Sequence, residues 1–115
     1  ESPFINSIMV VGENQKFAAA LIVPNFERLK TWCEENHIPY TTNAEMVKNK
    51  AVNDRYRKEV DSYNKFFGDF EKVKRFELVD REWTIDEREI TPSLKIRRKI
   101  IAEHFKDLIE GMFAE

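Results

Sequence analysis

Short apolar runs alternate with amphipathic stretches along the chain, and together they predict a small α+β domain. Residues 8–11 and 17–23 are apolar and end in β-branched side chains, and the polar residues 12–16 separate them. The best prediction for this pattern is a β-hairpin whose second strand is closed by Pro24. Residues 73–79 predict a third strand, because their polar alternate positions are typical of an edge strand or a one-sided sheet.

Two helices are predicted directly after the hairpin, each beginning at a side chain that can accept a hydrogen bond from the first turn. Asn25 is the expected N-cap of the first, which should end near residues 36–37. Thr42 or Asn43 is the expected N-cap of a short helix through Val47. The first helix has an apolar stripe at helical spacing, formed by Phe26, Leu29, Trp32 and Cys33.

A longer helix is predicted from about residue 49 to residue 67, ended by Gly68-Asp69, and a long C-terminal helix from about Arg98. The core face expected for the longer helix consists of Val52, Tyr56, Val60, Tyr63 and Phe67. The core face expected for the last helix consists of Ile101, Phe105, Leu108 and Met112. The whole pattern predicts a single domain of about three strands covered by helices.

Composition and charge narrow the class of protein. A chain of 115 residues, 42% of them hydrophobic, is long enough for one domain with its own core. The net charge of −2 argues against general affinity for nucleic acid, and the longest apolar run is too short to span a membrane. Cys33 is the single cysteine, which favours a reducing compartment. Because the chain lacks an initiator methionine, we expect it to be a piece of a longer polypeptide.

Potential metal ligands are more simply explained without a metal. Cys33 and His37 are close in sequence, but a zinc site needs three or four ligands, and His104 is the only other histidine. A buried thiol and surface histidines are therefore expected. The acidic residues within 80–89 lack the spacing of a calcium-binding loop and have arginines among them, so we expect a solvated loop.

The stretch of residues 89–99 differs from the packing patterns found elsewhere in the chain. Pro92 biases Thr91 towards an extended backbone, and the hydroxyls of Thr91 and Ser93 can bond locally and hold a turn. Lys95 should therefore project from a turn, and four of the five residues that begin with it are basic. On these residues alone, two interpretations stay open: a solvent-facing lysine, or a phosphate-binding group at the start of the last helix.

The last third of the chain also resembles a known family. The resemblance lies in Trp83-Thr84 and in the run Glu89-Ile90-Thr91-Pro92-Ser93-Leu94-Lys95-Ile96-Arg97-Arg98. These residues are similar to the C-terminal segment of long-chain acyl-CoA synthetases, which are fatty acid–CoA ligases of the AMP-forming, adenylate-forming superfamily. Residues 105–113 resemble the family's terminal helix, and residues 2–25 resemble its opening. The resemblance therefore covers nearly the whole chain in the same order.

This resemblance implies that residues 1–115 form a mobile C-terminal lid of a larger enzyme, whose N-terminal domain and hinge precede it. In that family the N-terminal domain binds ATP, the fatty acid and magnesium. The lid first completes adenylation and then, after rotation, completes thioester formation with CoA. The family's lid lysine corresponds to Lys95, which is the expected catalytic residue. Arg97, Arg98 and Lys99 are weaker candidates for binding the phosphates of ATP or CoA.

Two positions depart from the family's pattern. Many superfamily members have glycine where this chain has Leu94, a difference that the long-chain branch shares. Long-chain enzymes usually have glycine near the position of Arg88.

The resemblance also sets the expected partners and limits. We expect the isolated domain to be inactive and to hold no cofactor or metal. Its partners would be the N-terminal adenylation domain and the substrates, with no nucleic acid and no transmembrane segment. The expected location is cytoplasmic, with peripheral membrane contact through the large domain left open. Two alternatives remain: a non-catalytic interaction module whose basic turn binds an acidic partner, and a lid for a different carboxylic acid.

Overall fold

A computed structural model, which describes residues 2–68 and 71–114, contains the three predicted strands in one sheet. They are β1 (Ile5–Val11), β2 (Ala18–Pro24) and β3 (Val73–Leu78), in the order β1-β2-β3. β1 and β2 pair antiparallel as the predicted hairpin, whereas β2 and β3 pair parallel. β2 is therefore the central strand, and it is buried from its second residue onward, as its continuous apolar sequence predicts. The edge position predicted for the third strand is confirmed.

The hairpin turn depends on Gly12. Its φ is 141°, and a Cβ at this position would lie 2.8 Å from the carbonyl oxygen of Phe17. Only glycine combines this backbone conformation with such a close approach of the second strand.

Three helices form the crossover that two parallel strands require. They are α1 (Phe26–Glu35), α2 (Asn43–Met46) and α3 (Lys50–Asn64). The side chains of Asn25 and Thr42 accept hydrogen bonds from backbone N–H groups of the first turns of α1 and α2, which confirms both predicted N-caps.

The prediction that the third helix continues to residue 67 is wrong. α3 ends at Asn64, because the side-chain amide of Asn64 pairs with both backbone groups of Val73, each at 2.8 Å. This contact turns the chain into β3. Tyr63 is 37% exposed instead of facing the core, and Phe67 lies beyond the helix. Asp69 of the predicted terminator lies outside the described residues.

The start of the described chain is held against α3. Tyr56 is fully buried, and its hydroxyl donates a 2.7 Å hydrogen bond to the carbonyl of Phe4. The guanidinium groups of Arg28 and Arg55 lie over the Phe4 ring at 4.9 and 4.2 Å from its centroid. Cations over an aromatic face are attracted by its quadrupole, so α1 and α3 both fix this residue.

The single C-terminal helix of the prediction is also wrong, since it is divided into α4 (Arg98–His104) and α5 (Lys106–Phe113). Phe105 has φ −115° and ψ 28°, outside helical values. The His104 ring bonds Glu89, and the Phe105 ring lies 6.5 Å from that of Trp83, in the same loop. Successive residues of a regular helix point about 100° apart, so a regular helix would direct these two neighbouring side chains to different places. The helix is interrupted where both of them contact the same loop. The predicted α+β class is confirmed.

No helix within residues 2–68 and 71–114 has the length and apolar character needed to cross a membrane.

Candidate functional site

Lys95 lies in a short β-hairpin formed by residues 89–97. Ile90 and Ile96 form an antiparallel bridge at its base. Above it, the Thr91 N–H donates to the Lys95 carbonyl at 2.9 Å, and the Leu94 N–H donates to the Thr91 carbonyl at 2.7 Å. The predicted turn is therefore present, and Lys95 is the first residue of its returning arm.

Side-chain hydroxyls reinforce the turn as the sequence predicts. The Lys95 N–H donates to the Thr91 hydroxyl at 3.1 Å, and the hydroxyls of Thr91 and Ser93 share a further hydrogen bond. Both backbone groups of Lys95 are thus bound to Thr91. The Lys95 side chain is exposed, and in residues 2–68 and 71–114 no carboxylate lies within ion-pair distance of its ammonium group.

The two positions that depart from the family's glycines both have left-handed backbone conformations. The φ of Leu94 is 65° and that of Arg88 is 61°. A residue with a Cβ costs roughly 1–2 kcal/mol in this region, which glycine avoids. Leu94 is also 70% exposed, so packing within the described domain does not offset this cost.

We therefore expect Leu94→Gly to stabilise the domain by roughly 0.5–1 kcal/mol, because the relief of backbone strain exceeds the greater freedom of glycine in the unfolded chain. Urea denaturation measures the difference. Ser93→Gly is the matched control, since Ser93 belongs to the same turn but is not among the residues with positive φ. It should be destabilising, and a destabilised Leu94→Gly variant would contradict the explanation.

The other predicted phosphate-binding residues lie at the end of this hairpin and at the start of α4. The Arg97 N–H donates to the Glu89 carbonyl at 2.8 Å and closes the hairpin base, while its side chain is exposed. Arg98 begins α4, and its guanidinium donates to the Val10 carbonyl at 2.6 Å, which joins this helix to β1. Lys99 is exposed on α4. Arg98 therefore has a structural partner, and phosphate binding by these side chains stays a prediction.

A buried carboxylate, which the sequence did not reveal, lies at the hairpin base. Glu89 is 0% exposed, so the solvated loop predicted for residues 80–89 is wrong at this position. Its two carboxylate oxygens accept hydrogen bonds from the two terminal guanidinium nitrogens of Arg81, at 2.8 and 2.7 Å. They also accept one from the Thr84 N–H at 3.1 Å. The Nδ1 atom of His104 lies 2.8 Å from the same carboxylate. We call these four residues the Glu89 cluster.

These contacts keep Glu89 charged despite its burial. Burial raises the pKa of the Glu89 carboxyl, but the hydrogen bonds from Arg81, His104 and Thr84 outweigh it and lower the pKa to about 2. The bidentate contact is the stronger kind of charge-assisted hydrogen bond. His104 is exposed, as expected of a surface histidine, but its ring is also hydrogen-bonded to this buried anion. The sequence signal that could have indicated the cluster is weak, because its members are up to 23 positions apart.

Trp83 precedes Thr84 of the Glu89 cluster, and its ring lies 6.5 Å from that of Phe105. It is 6% exposed, and its indole Nε1 has no hydrogen-bond partner among the described residues.

Cys33 is buried, as predicted. The described part of the chain contains no group of three or more His, Cys, Asp or Glu side chains that could hold a metal ion.

Comparison with known proteins assigns this architecture to a family. The family described as "AMP-binding enzyme C-terminal domain" matches residues 1–115. The chain therefore belongs to this family.

Several of its relatives are long-chain ligases by name. The chain is 29% identical to the long-chain-fatty-acid–CoA ligase FadD15 of Mycobacterium tuberculosis, over 96% of this chain and 19% of that protein. It is 31% identical to long chain acyl-CoA synthetase 8 of Arabidopsis thaliana, over 98% of this chain and 16% of that protein. The chain thus spans about a fifth or less of the length of these relatives.

Solved structures show the same fold. The A-PCP didomain of carboxylic acid reductase from Segniliparus rugosus, in complex with AMP, matches with a TM-score of 0.71. The identity is 17%, and the match covers 96% of this chain and 14% of that one. The adenylation domain of a carboxylate reductase from Mycobacterium chelonae matches with a TM-score of 0.68 over 99% of this chain and 16% of that one, again at 17% identity.

Proposed function

We propose that this chain is the mobile C-terminal lid of a long-chain fatty acid–CoA ligase and that Lys95 is its catalytic residue. The full enzyme would form an acyl-adenylate from ATP and a fatty acid, and then transfer the acyl group to CoA. The substrate class is supported by relatives named as long-chain ligases, which align with nearly all of this chain.

The presentation of Lys95 is the observation that carries the proposal. Its backbone is bound on both sides to Thr91, whereas its side chain extends into solvent from the end of a hairpin. A charge presented in this way makes no ion pair within the described domain. It is suited to a site that is completed when another domain lies opposite the turn.

The chemistry proposed for Lys95 is electrostatic. During adenylation the fatty acid carboxylate attacks the α-phosphate of ATP, and pyrophosphate leaves with the electrons of the broken P–O bond. Negative charge therefore redistributes over the phosphate oxygens. A lysine ammonium is a compact charge with three donors on a flexible stem, so it can stabilise this charge without proton transfer.

The remaining assignments follow from the same proposal. ATP, the fatty acid and CoA are substrates of the full enzyme, and magnesium, which would offset phosphate charge, is assigned to the N-terminal domain. The partner of the lid is that N-terminal adenylation domain in the same polypeptide. Arg97 and Arg98 are secondary candidates for contacts with phosphate. The isolated domain is expected to be inactive.

The full-length enzyme provides the test. It should catalyse ATP–pyrophosphate exchange with a long-chain fatty acid, and a version without this domain should lose that exchange. Calorimetry of the isolated domain with ATP should detect no binding. If removal of the domain left exchange intact, or if the isolated domain bound an acidic peptide with measurable affinity, the interaction-module alternative would replace this proposal. Exchange supported only by an aryl, medium-chain or amino acid would change the acid class.

A further inference from the structure

The hydrogen bonds of the hairpin connect Lys95 to the Glu89 cluster. The Glu89 carbonyl accepts the Arg97 N–H, the Ile90–Ile96 bridge comes next, and the Thr91–Lys95 pair follows. Two residue steps along a strand span about 7 Å. Lys95 is therefore a short and regular distance above Glu89, on an arm that starts at the cluster.

Glu89 is held through both its side chain and its backbone. The carboxylate accepts hydrogen bonds from Arg81, Thr84 and His104, while the Glu89 N–H donates to the Thr84 carbonyl at 3.0 Å. Arg81 follows β3, and His104 is the last residue of α4. The carboxylate thus joins the sheet side and the helix side of the domain at the point where the hairpin begins.

The base of the hairpin is held further by Ile90 and Ile96, which pack against the core, whereas the tip has no comparable contact in the described domain. Pro92, Ser93 and Leu94 are exposed, and within the described residues the side-chain hydrogen bonds of the tip are made among Thr91, Ser93 and Lys95 themselves. The direction in which the turn points is consequently set at its base.

We propose that Glu89 is a positioning residue that acts on the reaction through Lys95, an inference that rests on the function proposed above. Glu89 fixes the base of the hairpin, and the hairpin fixes the place from which the Lys95 ammonium reaches the substrates. Burying a carboxylate is costly unless it is fully hydrogen-bonded. A buried charge is therefore an unusual residue for the base of a surface turn, and its partners are arranged to hold it in one orientation.

The inference predicts a selective loss of activity. Glu89→Gln keeps the shape of the side chain but removes the charge that orients Arg81 and His104. A displacement of the reacting group by about 1 Å can cost about 100-fold in rate. We expect Glu89→Gln in the full-length enzyme to lower kcat for adenylation by about 10- to 100-fold. The KM for ATP and the rate of thioester formation from preformed acyl-adenylate should stay near wild-type values.

A double-mutant cycle makes the test specific. If Glu89 acts through Lys95, adding Glu89→Gln to Lys95→Ala should cause no further loss of adenylation. Multiplying losses would overturn the inference. So would equal losses in both half-reactions, because a merely destabilised lid should impair both.

Two further variants keep the result interpretable if Glu89→Gln folds poorly. His104→Gln removes one partner of the carboxylate and should produce a smaller loss in the same half-reaction, while a wild-type rate would contradict the inference. Glu103→Gln, which changes an exposed carboxylate next to His104 on α4, should match wild type. If Lys95→Ala itself left adenylation unchanged, the proposed function would fail. If Lys95→Ala were impaired and Glu89→Gln were not, only the present inference would fail.

Discussion

Replacing Lys95 by alanine in the full-length enzyme is expected to lower the rate of acyl-adenylate formation by about 10²–10³-fold. The variant lacks the ammonium group that is proposed to stabilise negative charge on the phosphate oxygens. Since the Lys95 side chain is exposed and makes no ion pair in the described domain, folding should be unaffected. ATP–pyrophosphate exchange with a long-chain fatty acid measures the effect.

The step that is lost distinguishes this role from general damage. Thioester formation from added acyl-adenylate and CoA should proceed near the wild-type rate, because the phosphate chemistry is already complete. Lys58→Ala is the control, since Lys58 is an exposed lysine on α3, outside the basic stretch. It should retain adenylation activity. An unchanged exchange rate in Lys95→Ala would refute the assignment of Lys95.

The second large effect is expected in stability against pH. The pKa of Glu89 is about 2 in the folded domain, against an ordinary value of 4.5. A carboxyl whose pKa is lowered by folding contributes stability that is fully present above its unfolded pKa and is lost as the pH falls towards the folded pKa. Glu89 should therefore stabilise the domain by up to about 3 kcal/mol at neutral pH, and this contribution should disappear between about pH 4.5 and pH 2.

Glu89→Gln supplies the comparison. At neutral pH the variant should unfold at lower urea concentration than wild type, and the two unfolding free energies should converge as the pH approaches 2. Glu103→Gln should follow the wild-type curve at every pH, because Glu103 is exposed on α4. Parallel curves for wild type and Glu89→Gln over the whole range would show that the Glu89 cluster does not stabilise the fold in this way.

Local patterns predicted most of the fold. The hairpin, the third strand and the N-caps at Asn25 and Thr42 depend on neighbouring residues, and all are present. The errors fall where tertiary contacts override local preference. α3 ends early because Asn64 pairs with Val73. The C-terminal helix is interrupted at Phe105, where His104 and Phe105 both contact the 81–89 loop.

The site shows the same division. The turn that presents Lys95 could be predicted, since Thr91, Pro92 and Ser93 determine it within five residues. Glu89 could not, because its burial depends on Arg81 and His104, which the fold brings together from separate elements. In sequence, Glu89 is one acidic residue among several, and the others that pattern grouped with it are exposed.

The hairpin restrains Lys95 unevenly, and this affects how the lid would close. The backbone of Lys95 is held by Thr91, whereas its side chain is exposed and has no ion-pair partner among the described residues. Ordering a lysine side chain costs about 2 kcal/mol in conformational entropy. If the proposed function is correct, the lysine side chain becomes ordered only when its ammonium group contacts the charged substrates. The side chain of Lys95 is then unordered while the lid is open. Closure without substrate would gain little electrostatic stabilisation from Lys95. The same residue would thereby favour closure over a loaded site rather than an empty one.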